Sequence, residues 1–452
     1  MKSGAIETSQ TTYFKDGDTV VFFGDSITHG GFYYEYLTAF YRTRFPHAKI
    51  RLINSGIGGD TASLAYPRID VDIKEYNPTH IAFHFGMNDV GRGYYVEAPT
   101  PKQLEGAEKA QINYRQSFQR LVAKVKEAAP NAKHIYITPT PYDDTATVLN
   151  IPAEAPDWAK VNQKGCNTGL ALIAGFVLSS AKTDGVQAID WFTPLNNLLM
   201  EKRQTDPYFM LTRFDRVHPA ELGHSIMAWH FLMAQEVPAT VSDVTIDSLN
   251  EKVEKSDNAV ISNLAFSKDG AIAFDMLASS IPFPVPPEAK DFLEKYQVEE
   301  KLNQEILTVS NLAKGSYRLL IDSIEVGTYN ADEFAQGVKL AFNEKTPQYQ
   351  QAQEFFRLNH ELAQKEIILR NHHSARWYYY NQAPVDDLEA FKEWFEKNVP
   401  NKKEGFANHV SGYLAYWGNY RKTREELWEA QESVRMKAKP ESHHYEIKSI
   451  SR

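Results

Sequence analysis

Three side chains of this sequence have the types and the order that ester chemistry by a nucleophile needs. Ser26 follows Gly24-Asp25 near the amino end, and far along the chain Asp215-Arg216-Val217-His218-Pro219 sets a carboxylate three residues before an imidazole. A serine hydroxyl is a poor nucleophile at neutral pH and needs a base. Histidine serves near neutrality, and a carboxylate at this spacing can orient one ring nitrogen while the other faces the serine. Two further turns hold groups able to stabilise the oxyanion that attack would create. Asn54-Ser55-Gly56-Ile57-Gly58-Gly59-Asp60-Thr61 is rich in glycine, whose backbone N–H approaches a ligand closely, and Gly86-Met87-Asn88-Asp89 carries an uncharged amide donor. With the N–H of the serine itself, these would place three donors around one oxygen.

Such residues act together only if the chain brings the turns to one place. Apolar runs at Thr19–Phe23, Ile50–Ile53, His80–Phe85, His134–Thr138 and Val186–Ile189 read as strands, three of them ending in the turns above. Helical stretches separate them. They include Phe32–Phe45, Gln103–Ala129 with Ile112, Phe118, Leu121, Val122 and Val125 on one face, Asp157–Ala181, and Pro219–Gln235 opening on an N1 proline. Alternation of this kind predicts a doubly wound α/β domain with a five-stranded parallel sheet over residues 1–238, and ligands bind beyond the carboxyl ends of such strands.

From Pro238 the texture changes. Ala259–Ser267, Ala271–Met276, Tyr317–Ile321 and Glu325–Tyr329 read as short strands between turns, and Pro282, Pro284, Pro286 and Pro287 as a loop, so residues 239–345 are expected to form a small β-rich module. Residues 346–452 are expected to be mainly helical, to near Ala438, and to pack on the first domain or stand beside it.

Composition excludes several classes of function. The 452 residues are 42% hydrophobic and 24% charged, with 49 basic against 58 acidic residues and a net charge of −9. That balance, with no long Lys/Arg run, argues against nucleic acid as a partner. Nothing approaches the ~18 consecutive apolar residues of a membrane span. Cys166 is the sole cysteine, so no intrachain disulfide forms. With no signal-like apolar segment in the first residues, the expected compartment is the cytoplasm, or the exterior if a leader has been removed.

The four blocks, taken in order, resemble the SGNH (GDSL-type) hydrolase superfamily. Gly24-Asp25-Ser26 resembles the nucleophile block, the Asn54–Thr61 turn the glycine block, Gly86–Asp89 the asparagine block and Asp215–His218 the closing Asp-x-x-His block. The resemblance runs from about Thr19 to Gln235. It implies a flavodoxin-like sheet, Ser26 as nucleophile, Gly59 (or Gly58, one register earlier) and Asn88 as oxyanion donors, and His218 with Asp215 as base and orienting acid. It further implies ester hydrolysis without metal or other cofactor, on a small-molecule or oligosaccharide ester. Carbohydrate O-deacetylation is the expected activity; a thioesterase or lysophospholipase would use the same five residues, and a glycan-binding protein with an inactive hydrolase shell is the non-enzymatic alternative. The oligomeric state is not legible.

Other residues have two readings each. Asp25, Arg92, Tyr94 and Tyr95 flank the nucleophile and asparagine turns and are candidate substrate contacts, with surface packing as the alternative. His84 reads as a core histidine, and His29 as either a loop histidine or part of the substrate mouth. Asp143 and Asp144 follow the fourth strand, in a turn role or facing a polar substrate. His372-His373 lacks metal-ligand spacing around it, and no metal site is expected. The run Trp377-Tyr378-Tyr379-Tyr380 is read as packing or, alternatively, as a recognition surface.

Overall fold

In the computed structural model, which describes residues 12–285, 289–402 and 405–450, the first half of the chain forms a parallel sheet. Its strands are β1 (Thr19–Gly24), β2 (Arg51–Gly56), β3 (His80–His84), β4 (Lys133–Ile137) and β5 (Gln187–Ile189), in the order β2-β1-β3-β4-β5. Every pairing is parallel. β1 carries an unbroken apolar run because helices bury both faces of the sheet, and Val20–Phe23 have no exposed surface. Helices Phe32–Arg44 and Glu221–Ala234 pack on each other, as do Pro101–Ala128 and Cys166–Asp184.

Register decides what happens at the sheet edge. Gly24 of β1 sits beside Gly56 of β2 and His84 of β3, so the three turns that follow start level with one another. Gly56 must be glycine, because a Cβ there would lie 2.1 Å from the His29 nitrogen.

Two helices differ from the sequence reading. In Pro101–Ala128, capped by a Thr100–Gln103 box, the buried stripe runs through Tyr114, Phe118, Leu121 and Val125; Ile112 lies outside it and is 48% exposed. The helix expected over Asp157–Ala181 is broken. A single turn, Asp157–Lys160, precedes a bend, and the helix proper begins at Cys166 after Gly165, whose φ of +85° no helix accommodates. The break leaves Trp158 and Val161 facing outward.

Beyond Pro238 two further sheets share one core. The first joins β6 (Thr240–Asp247), β7 (Lys252–Asp257), β10 (Gln304–Ser310) and β13 (Val338–Lys339) in the order β13-β10-β6-β7. The second joins β8 (Ala259–Phe266), β9 (Ile272–Ala278), β11 (Ser316–Ile321), β12 (Ile324–Asn330) and β14 (Ser442–Ser449) in the order β12-β11-β14-β9-β8. Residues 442–449, grouped with the helical region from sequence, are thus the central strand of a sheet. Tyr445 and Ile447 point into the core while Glu446 between them is polar. Of the proline cluster, Pro282 and Pro284 lie in a loop, while Pro286 and Pro287, like residues 1–11, fall outside the described residues.

Between β13 and β14 the chain is helical. The long helix Pro347–Tyr379 lies against Phe32–Arg44, with Tyr36 stacked on Phe356 at 5.8 Å and Arg42 donating to Asn359 at 3.0 Å. Its carboxyl end joins helices Leu388–Asn398 and Val410–Ala415 in a separate cluster around Tyr379, Phe391, Phe395 and Tyr413. Among the described residues no helix is long and apolar enough to cross a membrane.

Candidate active site

Ser26 is the first residue of a five-residue helix, Ser26–Gly30, directly after the turn that ends β1. Asp25 caps that helix through a bond from the Ile27 N–H at 3.0 Å. Being first in the helix, Ser26 has a backbone N–H with no intrahelical acceptor.

His218 comes to this point on a tight loop. The Arg213 N–H donates to the His218 carbonyl at 2.7 Å, Thr212 pairs with Pro219, and Arg216 takes a left-handed backbone, φ +62°. His218 Nε2 lies 2.9 Å from Ser26 Oγ and its Nδ1 lies 2.7 Å from Asp215 Oδ2. The other oxygen of Asp215 accepts from the backbone N–H groups of Val217 and His218, both at 2.9 Å. Burial would raise the Asp215 pKa, but these bonds and the imidazole outweigh it and hold the carboxyl below its ordinary value. Asp143 and Asp144 brace the surroundings: Asp143 pairs with Arg203 and its N–H donates to the Arg216 carbonyl, while Asp144 accepts from the Gly165 N–H.

The glycine and asparagine turns meet beside Ser26. Asn88 donates one amide hydrogen to the Asp60 carbonyl at 2.8 Å, which leaves its second hydrogen for a ligand. The Gly58 N–H is engaged, donating to His29 Nδ1 at 3.2 Å. Gly59 has φ +75° and, among the described residues, no acceptor for its N–H. The unengaged backbone N–H of this turn is therefore that of Gly59 rather than Gly58. His29 is buried and props this turn, its pKa lowered to about 3 by burial, so it stays neutral. His84 is a core histidine bonded to Thr28 at 3.2 Å.

Two carboxyl groups here are buried without full partners. Asp25 is pushed up to about 7, chiefly by burial, and Asp89, whose Oδ1 accepts from the Ala62 N–H, to about 8 for the same reason.

A cleft of about 520 Å³ opens next to Asn88, lined by Arg92, Tyr94, Trp158, Val161 and Gln163. The Trp158 ring is 6.3 Å from the His218 ring, and the Arg92 guanidinium lies over Trp158 at 5.4 Å. Of the flanking residues singled out from sequence, Arg92 and Tyr94 line this cleft; Tyr95 turns away, its hydroxyl packed against Gly169. Asp25 is fully covered. The glycine turn is covered by the helical region. Phe406 lies over Gly59, 3.1 Å from where a Cβ would stand, with Tyr378 stacked on it at 4.3 Å. Trp377 donates to the Leu64 carbonyl at 3.0 Å, Tyr379 is buried in the helical cluster, and Tyr380 is exposed beside Arg376.

Sequence reasoning did not reach Trp158 or Phe406. Trp158 was hidden in an expected helix, where only Gly165 hinted at a break, and nothing local marks Phe406. A larger cleft, about 1300 Å³, lies at the amino ends of the strands near His80 and His134 and contains none of the groups above. No group of three or more metal-ligating side chains is assembled among the described residues.

Residues 22–226 match the GDSL-like Lipase/Acylhydrolase family. An acetylxylan esterase of Geobacillus stearothermophilus is 26% identical over 231 residues, 48% of this chain and 93% of that protein. The solved structure of a gut microbial diltiazem-metabolizing enzyme is 31% identical, covering 97% of this chain and 99% of its own, with a TM-score of 0.85. The crystal structure of Axe2, an acetylxylan esterase from Geobacillus stearothermophilus, is 22% identical over 50% of this chain and 96% of its own, with a TM-score of 0.38. With four turns converging on one end of a parallel sheet and a whole-length relative of the same architecture, this chain belongs to the GDSL-like lipase/acylhydrolase family of ester hydrolases.

Proposed function

We propose that the protein is a serine esterase that removes acetyl groups from carbohydrate esters. The observation that carries the reading is the unbroken line from Ser26 Oγ through the His218 ring to Asp215, at 2.9 and 2.7 Å. In the reaction Ser26 Oγ bonds to the ester carbonyl carbon while its proton passes to His218 Nε2. The Asp215 carboxylate holds the ring so that Nε2 is the accepting nitrogen and stabilises the imidazolium. The carbonyl oxygen takes up negative charge among the N–H groups of Ser26 and Gly59 and the Asn88 amide. Collapse expels the alcohol oxygen, which takes the proton from His218. Water, deprotonated by the same nitrogen, then attacks the acyl carbon, and the bond to Ser26 Oγ breaks as Oγ takes that proton back and acetate leaves.

Support for a carbohydrate alcohol comes from the cleft beside His218. Trp158 offers an aromatic face and Arg92 a donor fork, a pairing suited to a sugar ring and its hydroxyls. Phe406 packs tightly over Gly59, which suits a short acyl group. The acetylxylan esterase relative is consistent with this. The whole-length likeness to a diltiazem-metabolizing enzyme favours a second reading, hydrolysis of esters on smaller non-sugar molecules.

The test compares nitrophenyl esters of increasing acyl length, acetylated xylo-oligosaccharides and diltiazem, with Ser26→Ala as the blank. Acetate should be the best acyl group, and Trp158→Ala should raise KM for the oligosaccharide by roughly 10-fold, the loss of about 1.4 kcal/mol of stacking, while leaving nitrophenyl acetate turnover nearly unchanged. Preference for long acyl chains, or no oligosaccharide turnover at all, would replace this reading with a lipase-like or a small-molecule one.

A further inference from the structure

We infer that Arg370, on the long helix of the carboxyl-terminal region, is a positioning residue for the oxyanion hole. This rests on the serine-esterase reading above and adds to it a residue from outside the sheet domain.

Arg370 enters the sheet domain and is buried there. Its Nε donates to the Gly56 carbonyl at 2.9 Å, and its two terminal nitrogens grip Asp72 at 2.5 and 2.6 Å. Asp72 also accepts from Arg68 at 2.6 Å, and Arg68 reaches on to Asp60 at 2.6 Å, to the Ser55 carbonyl at 2.7 Å and to the Gly24 carbonyl at 3.0 Å. None of the four charged side chains is more than 3% exposed. Every backbone group the network holds belongs to a catalytic turn. Gly24 precedes Asp25 and Ser26, Ser55 and Gly56 open the glycine turn, and Asp60 follows Gly59 and bonds Asn88 through its carbonyl.

Two arginines and two aspartates balance. Burial would raise the Asp72 pKa, but the two guanidinium groups outweigh it and keep the carboxyl ionised. Without Arg370 the cluster keeps three charges, and Arg68 must satisfy Asp72 alone. Its Nη1 already serves one Asp72 oxygen while Nε and Nη2 hold Asp60, so closing on the other, bared Asp72 oxygen draws it from Asp60, the residue that seats both Gly59 and Asn88. A fork is required, since a lysine ammonium cannot serve Asp72 twice and Gly56 in one plane.

The experiment is Arg370→Lys in the full chain, beside Asn359→Ala, which removes a contact of the same helix with Arg42 away from the catalytic turns. Folding is followed by circular dichroism and melting, kcat and KM are measured on nitrophenyl acetate, and the rate of Ser26 labelling by a fluorophosphonate is measured separately. Arg370→Lys should fold, with kcat and labelling rate lower by roughly 10-fold or more and KM within about 2-fold, since oxyanion donors act on the transition state. Asn359→Ala should melt earlier with kcat within about 2-fold of wild type. Wild-type kcat in Arg370→Lys, an equal kcat loss in both variants, or failure of Arg370→Lys to fold overturns the inference, the last by making Arg370 a folding requirement. Failure of the esterase reading shows separately, as a wild-type protein that does not turn over esters in a Ser26-dependent way.

Discussion

Replacing Asp215 by asparagine isolates what the carboxylate does, because it changes one oxygen to NH₂ and little else. The Asp215 Oδ1 accepts from two backbone N–H groups, Val217 and His218, each at 2.9 Å. An NH₂ facing those two donors would clash electrostatically, so the Asn carbonyl takes that side and the NH₂ turns to His218 Nδ1, 2.7 Å away. Nδ1 must then accept, and the ring proton moves to Nε2, where it points at Ser26 Oγ. The base is lost while the loop keeps its bonds. A wrong tautomer of this kind lowers kcat by on the order of 10⁴, about 5.4 kcal/mol of transition-state stabilisation. Turnover of nitrophenyl acetate by folded Asp215→Asn, its folded fraction fixed by circular dichroism, measures this directly. Retention of more than about a tenth of wild-type kcat, far above the expected loss, would refute the assignment of Asp215 as the group that sets the His218 tautomer.

Two other perturbations have defined outcomes. Asn88→Ala removes a donor whose second amide hydrogen is free, so kcat should fall by roughly 10²–10³ with KM little changed; a change in KM alone would make Asn88 a ground-state contact. Asp25→Asn should act on stability in a pH-dependent way. Burial raises the Asp25 pKa to about 7, so the folded chain keeps a proton there that the unfolded chain, with an ordinary pKa of about 4, has lost. The stabilisation from this group is complete below about pH 4 and gone once pH has risen through about 7. Melting of Asp25→Asn relative to wild type should therefore climb between about pH 4 and 8, by at most about 4 kcal/mol, and a pH-independent difference would show that Asp25 is ionised throughout.

The sequence by itself determined the sheet and the turns that carry the candidate residues. Ser26, Gly59, Asn88, Asp215 and His218 sit in short contiguous turns whose geometry is set by neighbouring residues, such as the caps at Asp25 and Asp215. The strands are legible because burial on both faces demands unbroken apolar runs. The tertiary structure decided what surrounds that chemistry. The Gly58 N–H is occupied by His29, a contact between two turns that spacing along the chain does not specify. β14 could not be paired in advance, since its partners β9 and β11 lie more than a hundred residues earlier and period-two patterning does not specify a neighbour. Trp158 reached the cleft through a helix break, while Phe406 and Arg370 came from a helical region with no motif of its own. Arg370 meets Gly56 across 314 positions of chain. Such a contact is selected by the shape and charge of a buried cavity, which exists only once both regions have folded, so no local pattern of residues can announce it.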